Sequence, residues 1–552
     1  MMRNLCKVAV VAIVLFGFTW VASAQWLPAP LNQGQGLPYD WTSRHVVYSS
    51  NGANQGVVQE QPRYWIQQML RHRGEVEAAS VNGDRAQLDS FFAGRKFKKK
   101  HFPKLKKRHV VKVKRDWNTS MGNAVYDLAS PTYPAAFVAN SSTPSCTNDF
   151  VVFTLPTGGS TYPGNFNIIA FNNLYGGPSS TNPLCSKAPQ ALFAYNASTN
   201  GGTLNGSPVL SLDGTEIAFV ENSPAGSVFH VLRWKAGDLN NTEANFPDAS
   251  NGAKMPTCLS NVLPCEYSLP LPNSGAASLS SPFVDYSDDI AYVSADNGQV
   301  YSIQPVFNTG HGQPVLVWNR QIGGSNDVMT PPIFDATSQN VFVGDASTGT
   351  AYYVRANGFS KGTCANAGPP PCVGSTTYLF PGDNPQMDEA PIVDSNSEHV
   401  FFFGRGHPSG DEVANPKDGS YLVQLDPILS NGSVQLASLG AGADNPIRPG
   451  SFNNNYFATG PAAGLIYTCG YDTNNSPQLY AFGFDSSGAM LTTPVSGSPF
   501  SLSNGNDKPA LCSPVSENYV GGIDRIFLGA SDFCVGSSGN HGCALSYDVT
   551  AG

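Results

Sequence analysis

Short apolar-aromatic runs, each closed by a turn, recur along most of this chain, and three copies align almost residue for residue. Each begins with a proline-led strand ending in aspartate: Ser281-Pro282-Phe283-Val284-Asp285, Pro331-Pro332-Ile333-Phe334-Asp335 and Ala390-Pro391-Ile392-Val393-Asp394. A second apolar strand follows in each, Ile290–Val293, Val341–Val343 and Val400–Phe403. A glycine turn then leads to a third, aromatic strand: Asn297-Gly298-Gln299-Val300-Tyr301, Thr348-Gly349-Thr350-Ala351-Tyr352 and Asp418-Gly419-Ser420-Tyr421-Leu422. Pro282 to Tyr292, Pro332 to Phe342 and Pro391 to Phe401 keep one spacing. A repeat of this length made only of strands and turns is the pattern of a propeller blade, and it predicts an all-β chain.

Innermost strands are expected to begin near Ser145, Ser207, Ser281, Pro331, Ala390, Pro449 and Ser513. The intervals leave room for four strands and their loops, so seven four-stranded blades are predicted over residues 116–552, with six or eight also compatible. The last interval is short, and a strand from residues 117–137 is expected to complete the last blade and close the ring. A β-sandwich fits less well, because sandwiches do not repeat at this period. Nothing after Asp116 has helical periodicity. Before it, Pro62–Ala79 places Trp65, Ile66, Met69 and Leu70 at helical spacing behind a first-turn proline, which predicts a helix over 62–79. Residues 25–60, rich in Pro, Gly, Asn and Gln, read as a loose lead-in.

The first residues have the form of an export signal. Arg3 and Lys7 precede the apolar run Val8–Phe18 and the small-residue site Ala22-Ser23-Ala24, so a mature chain from about Gln25 is expected outside the cytoplasm. Of 11 cysteines, Cys6 falls in that segment. The remainder pair by proximity as Cys146/Cys185, Cys258/Cys265, Cys364/Cys372, Cys469/Cys512 and Cys534/Cys543, which suits disulfides in an oxidising compartment. A metal site is the rival reading, but no CxxC pair or Cys-His cluster has the usual ligand spacing.

Charge divides the chain. Residues 95–115 carry 12 Lys or Arg and no acid, whereas residues 116–552 carry 12 Lys or Arg against 34 Asp or Glu. An acidic body on a basic tether argues against nucleic acid as the body's partner. The tether reads as a solvated linker, as a mask lying on its own acidic propeller, or as an attachment to an anionic envelope surface through Lys98, Lys99, Lys100, Lys104, Lys106, Lys107 and Arg108, with Phe97, Phe102 and Leu105 between them.

The stretch Ala295-Asp296-Asn297-Gly298-Gln299-Val300-Tyr301, with Trp318 downstream in Leu316-Val317-Trp318, resembles the A-x-D-x-x-x-G…W repeat of the quinoprotein-type (PQQ-like) β-propellers. The resemblance covers one blade well and the others in part. It implies the propeller fold in an exported bacterial protein. The dehydrogenases of that family have an adjacent cysteine pair over the cofactor and a full set of tryptophan docking motifs. This chain has neither, so PQQ is not expected.

Signatures for nucleophilic, metallopeptidase, phosphate-loop and EF-hand chemistry are missing from the sequence. The nine histidines show no paired spacing, and a lone one such as His399 reads as structural. One constellation recurs just ahead of the inner strands: Asn326-Asp327, Asp383-Asn384 with Asp388-Glu389, Asp444-Asn445 and Asn506-Asp507. In a propeller these connections return the chain to the axis, so their carboxylates and amides are expected around one axial funnel. Such oxygens suit Ca2+ or sugar hydroxyls, although Asp and Asn are also ordinary turn residues. The Asp285, Asp335 and Asp394 of the repeat read as turn aspartates. The expectation is a monomeric binding or scaffolding module for a polysaccharide, peptide or protein partner. A carbohydrate hydrolase or lyase working through the same carboxylates is the alternative, and a PQQ-dependent dehydrogenase the third.

Overall fold

The computed structural model describes residues 36–50, 54–81, 132–140, 144–156, 166–175, 184–185, 189–198, 202–238, 257–258, 263–274, 280–307, 312–356, 371–376, 379–381, 384–407, 419–442, 445–502, 510–531 and 543–550. Their strands form seven antiparallel sheets in chain order, arranged as a seven-bladed β-propeller. The inner strands are Ala135–Val138, Val209–Leu210, Phe283–Asp285, Ile333–Asp335, Ile392–Asp394, Ser451–Phe452 and Ser516–Val520. Blades two, three, four and six have four strands each, and blade seven has three among the described residues.

The repeat seen in sequence sets the register. Phe283 lies opposite Tyr292, Ile333 opposite Phe342 and Ile392 opposite Phe401. The terminal aspartates hold the turns that follow: Asp285 accepts from Ser287 N, Asp335 from Thr337 N and Ser338 N, and Asp394 from Asn396 N and Ser397 N. Each turn ends on a left-handed residue, Asp289, Gln339 or Glu398, which reverses the chain into the second strand. The next hairpin turns on Asn297 and Gly298, both at positive φ, as the right-handed strand twist favours. Between blades, the alternate side chains interlock, as where Tyr292 stacks on Phe334 at 5.3 Å and Phe401 meets Phe452 edge-on at 5.3 Å.

Three features differ from expectation. The first inner strand is Ala135–Val138, not one near Ser145; Phe150–Thr154 is the second strand of that blade. Its two alanines make it a weak hydrophobic signal. It therefore belongs to blade one and not to the last blade, while residues 117–131 lie outside the described residues. A short helix, Asn454–Thr459, follows the inner strand of blade six; Asn453 caps it by accepting from Tyr456 N.

The third difference is the lead-in, where residues 36–50 lie along the propeller axis. Leu37–Tyr39 pairs antiparallel with the inner strand of blade one, and Val46–Val47 pairs parallel with that of blade five. Trp41 donates from Nε1 to Pro282 O of blade three (3.0 Å), His45 Nδ1 sits 3.1 Å from Pro391 O, and Ser49 N donates to Asp394 (3.2 Å). Composition masks the cause: Leu37, Trp41, Val46, Val47, Tyr48 and Val58 are all buried. Two helices follow, α1 (Gln55–Val58) and α2 (Pro62–Val81), and α2 packs on the inner strand of blade seven.

Disulfides join Cys146 to Cys185, Cys258 to Cys265 and Cys469 to Cys512. Cys372 and Cys543 are also disulfide-bonded, and the partners expected for them, Cys364 and Cys534, lie outside the described residues. So do residues 1–24 and the tether 95–115. No described helix is long and apolar enough to cross a membrane.

Candidate functional site

The connections between blades place the sequence-derived candidates in two groups. Asn326 is exposed in the turn leading to blade four. Beside it Asp327 accepts from Gly324 N (2.5 Å) and lies against Asp345. Asp345 is buried and accepts from Ser347 N and from the Thr348 hydroxyl. Burial pushes its carboxyl up, and the charge of Asp327 adds to the effect.

At the approach to blade five, Asp388 lies 3.5 Å from Arg405 Nε and accepts from Ile447 N (3.3 Å). Glu389 pairs with Arg448 at 2.6 Å. Burial pushes Glu389 up to about 7, and Arg448 opposes the shift. Tyr133 bonds to Glu389 and carries Arg44 over its ring at 5.7 Å. Asn445 is buried and donates to Asn475 O (3.4 Å). Asn384 pairs opposite His407 in a short edge strand. Asp383, Asp444, Asn506 and Asp507 lie outside the described residues. The two arginines were not anticipated, although Arg448 stands only three residues after Asn445.

A second polar cluster was also missed. His230 is fully buried on the third strand of blade two, 3.0 Å from Glu221 through Nε2 and 3.0 Å from Glu266 through Nδ1. Its ring stacks on Phe219 at 5.1 Å. Burial works against its charge, but the two glutamates win and raise it to about 9. Ser268 Oγ lies 3.1 Å from Nδ1, which imitates a nucleophile–base pair. An imidazolium held between carboxylates cannot take the serine proton at neutral pH. Residues of three neighbouring strands make this cluster, at spacings that match no local motif.

The third feature is a cavity of about 630 Å³, walled by α2, the axial N-terminal residues and the inner strands of blades one, six and seven. Helical spacing turns Arg63, Ile66, Gln67, Leu70 and Arg71 towards it. Four large hydrophobic side chains at its margin are exposed: Tyr39 (38 %), Leu70 (41 %), Val520 (40 %) and Phe527 (39 %). Arg71 is satisfied, bidentate to Glu517 at 2.5 and 2.7 Å and stacked over Phe457 at 3.8 Å. Burial pushes Glu517 up to about 7, against the pull of Arg71.

No protein-family model and no curated protein matches this chain. Solved structures do resemble it. A proposed 6-phosphogluconolactonase from Bacteroides fragilis is 12% identical with a TM-score of 0.37, over 74% of this chain and 96% of that one. The mitotic checkpoint complex aligns at 10% identity and TM-score 0.34, over 78% of this chain and 95% of the other. A protein from Lactobacillus plantarum aligns at 12% identity and TM-score 0.34, over 72% and 99%. Likeness at this level carries no activity to this chain.

Proposed function

We propose that the protein is an exported binding or scaffolding propeller. It holds a ligand, or a group on a peptide or protein partner, in the cavity beside α2. One observation carries the reading: four large hydrophobic side chains face water around a single cavity of about 630 Å³. Exposed apolar groups gathered around a concavity of this size mark a binding site more often than a random surface. Export agrees with the disulfides, which persist in oxidising compartments. The test is titration with Nile red, a neutral apolar fluorophore. Saturable single-site binding to the native protein, weakened at least tenfold in Phe527→Asp, is the expected result. Binding that does not saturate, or that Phe527→Asp leaves alone, would overturn it.

A second reading belongs to the approach to blade five, where Asp388, Arg405 and Arg448 keep 22%, 15% and 17% of their side chains exposed. Paired charges that are partly wet can share hydrogen bonds with sugar hydroxyls, which suits a polysaccharide. A thermal-shift panel of glycans, with Ca2+ and PQQ alongside, tests it. A glycan shift abolished in Asp388→Asn supports this reading, and its survival in that variant excludes Asp388 from the site.

A further inference from the structure

We propose that the cavity beside α2 takes this chain's own residues Trp26–Leu31 as an intramolecular plug, which an external ligand must displace. The inference rests on reading this cavity as the ligand site and adds a regulation of that site.

The occupant is argued first from where the described residues start. The strand Leu37–Tyr39 is part of the cavity wall: Leu37 and Tyr39 both line it, Leu37 buried and Tyr39 on the exposed margin. A Cβ at Gly36 would meet the Phe137 ring, so the chain is held against blade one where it joins that wall. The residues ahead of Gly36, which include Trp26–Leu31, lie outside the described residues. Six residues separate Leu31 from Leu37, and an extended chain of that length spans about 20 Å at most. The segment is therefore tethered within reach of the whole margin.

Composition matches the margin. Trp26-Leu27-Pro28-Ala29-Pro30-Leu31 has three large apolar side chains, two prolines and no charged side chain. Laid over Leu70, Val520 and Phe527, it removes from water the apolar surface that the propeller leaves open. Prolines pre-order a segment in the polyproline II conformation, and such segments dock in grooves lined by aromatic rings. Tyr39, Phe452, Phe457, Tyr519 and Phe527 give the cavity such a lining.

Charge selects between this segment and the basic residues 95–115. Three arginines and one glutamate line the cavity, so a cationic occupant meets like charge and a neutral one does not. Tethering sets the strength. At an effective concentration on the order of 1 mM, a segment that binds as a free peptide with a Kd of about 0.1 mM weakens a competitor about tenfold.

The experiment is Nile red titration of the full chain, of a chain with residues 25–32 deleted, and of the length-conserving variant Trp26→Ser/Leu27→Ser. Both variants are expected to bind about tenfold more tightly than the full chain. Adding the free peptide Trp26–Gln33 at about 1 mM to the deleted chain is expected to restore the weaker binding. Equal affinity of the three proteins, with the dye still saturating one site, would overturn the plug and leave the cavity reading standing. Absence of saturable binding even in the deleted chain would overturn both. Sedimentation of the full chain tests the remaining occupant: a dimer that the deletion dissolves would seat the segment in a second copy and overturn the intramolecular assignment.

Discussion

Replacing His230 with leucine isolates the buried Glu221–His230–Glu266 cluster, and the pH course of its effect follows from the charges. His230 is raised from its ordinary 6.5 to about 9, so the folded protein holds this proton more tightly than the unfolded chain. Its contribution is complete below about pH 6.5 and is lost as pH rises through 9. At about 1.4 kcal/mol per pKa unit the shift corresponds to roughly 3 kcal/mol. Glu266 is also raised, chiefly by burial, and acts with the same sign from its ordinary value upwards. Leucine removes the cation and leaves two carboxyls facing apolar surface, and breaking a buried pair in this way costs about 3–5 kcal/mol. In the variant the loss begins as the glutamates are driven to ionise, well below pH 6.5. The wild-type advantage is therefore smallest near pH 4.5, greatest near pH 7 and reduced again by pH 9. Urea unfolding across that range, with disulfides intact, measures it as a difference between the two proteins. Glu216, Glu389 and Glu517 titrate in both and cancel. A difference that is flat with pH, or smaller than about 1 kcal/mol at neutrality, would refute the assignment of His230 as a buried imidazolium.

Trp41→Ala should destabilise by about 3–5 kcal/mol in urea unfolding, because Trp41 is 3 % exposed and bonds to blade three. A loss below about 1 kcal/mol would mean that the N-terminal residues are not part of the axial core. Asp394→Ala should cost more than Asp285→Ala in the same assay. Asp394 joins Ser49, Asn396, Ser397 and the Tyr456 hydroxyl (2.7 Å), whereas Asp285 accepts from Ser287 N within its own turn. Equal costs would show that the links from Asp394 to the N-terminal residues and blade six contribute nothing.

The blades were readable because their cause is local. A proline-led apolar strand, a turn aspartate and a glycine hairpin each act within a few residues, and the copies at Pro282, Pro332 and Pro391 reinforce one another. Where the local cause weakens, so does the reading. Ala135-Ala136-Phe137-Val138 has too little side-chain bulk to outrank the more conspicuous Phe150–Thr154. The helix Asn454–Thr459 is too short for its period to register, and its cap and Tyr456 make it instead.

The axial residues and the sites illustrate a different limit, since their causes are distant in sequence. Residues 36–50 look like a loop by composition, yet Trp41 finds its acceptor 241 residues away in Pro282, and His45 finds its neighbour at Pro391. The recurring acids suggested one funnel of like charge, and it took the folded chain to bring Arg405 and Arg448 against Asp388 and Glu389. Arg63 is the sharpest case. By sequence it is one cation on an amphipathic helix, and the bland expectation is solvent. Its burial follows from the start of α2 lying against Val284 and Phe283 of blade three, which follows in turn from strand pairing of the preceding residues with blades one and five. Once that pairing places the helix, Thr42 and Val284 satisfy two of its nitrogens and leave the third without an acceptor. The shape of the cavity is thus a consequence of how the chain fills its own axis, and changes that loosen Leu37–Tyr39 or Val46–Val47 should weaken Nile red binding in fluorescence titration without touching the cavity wall formed by blades six and seven.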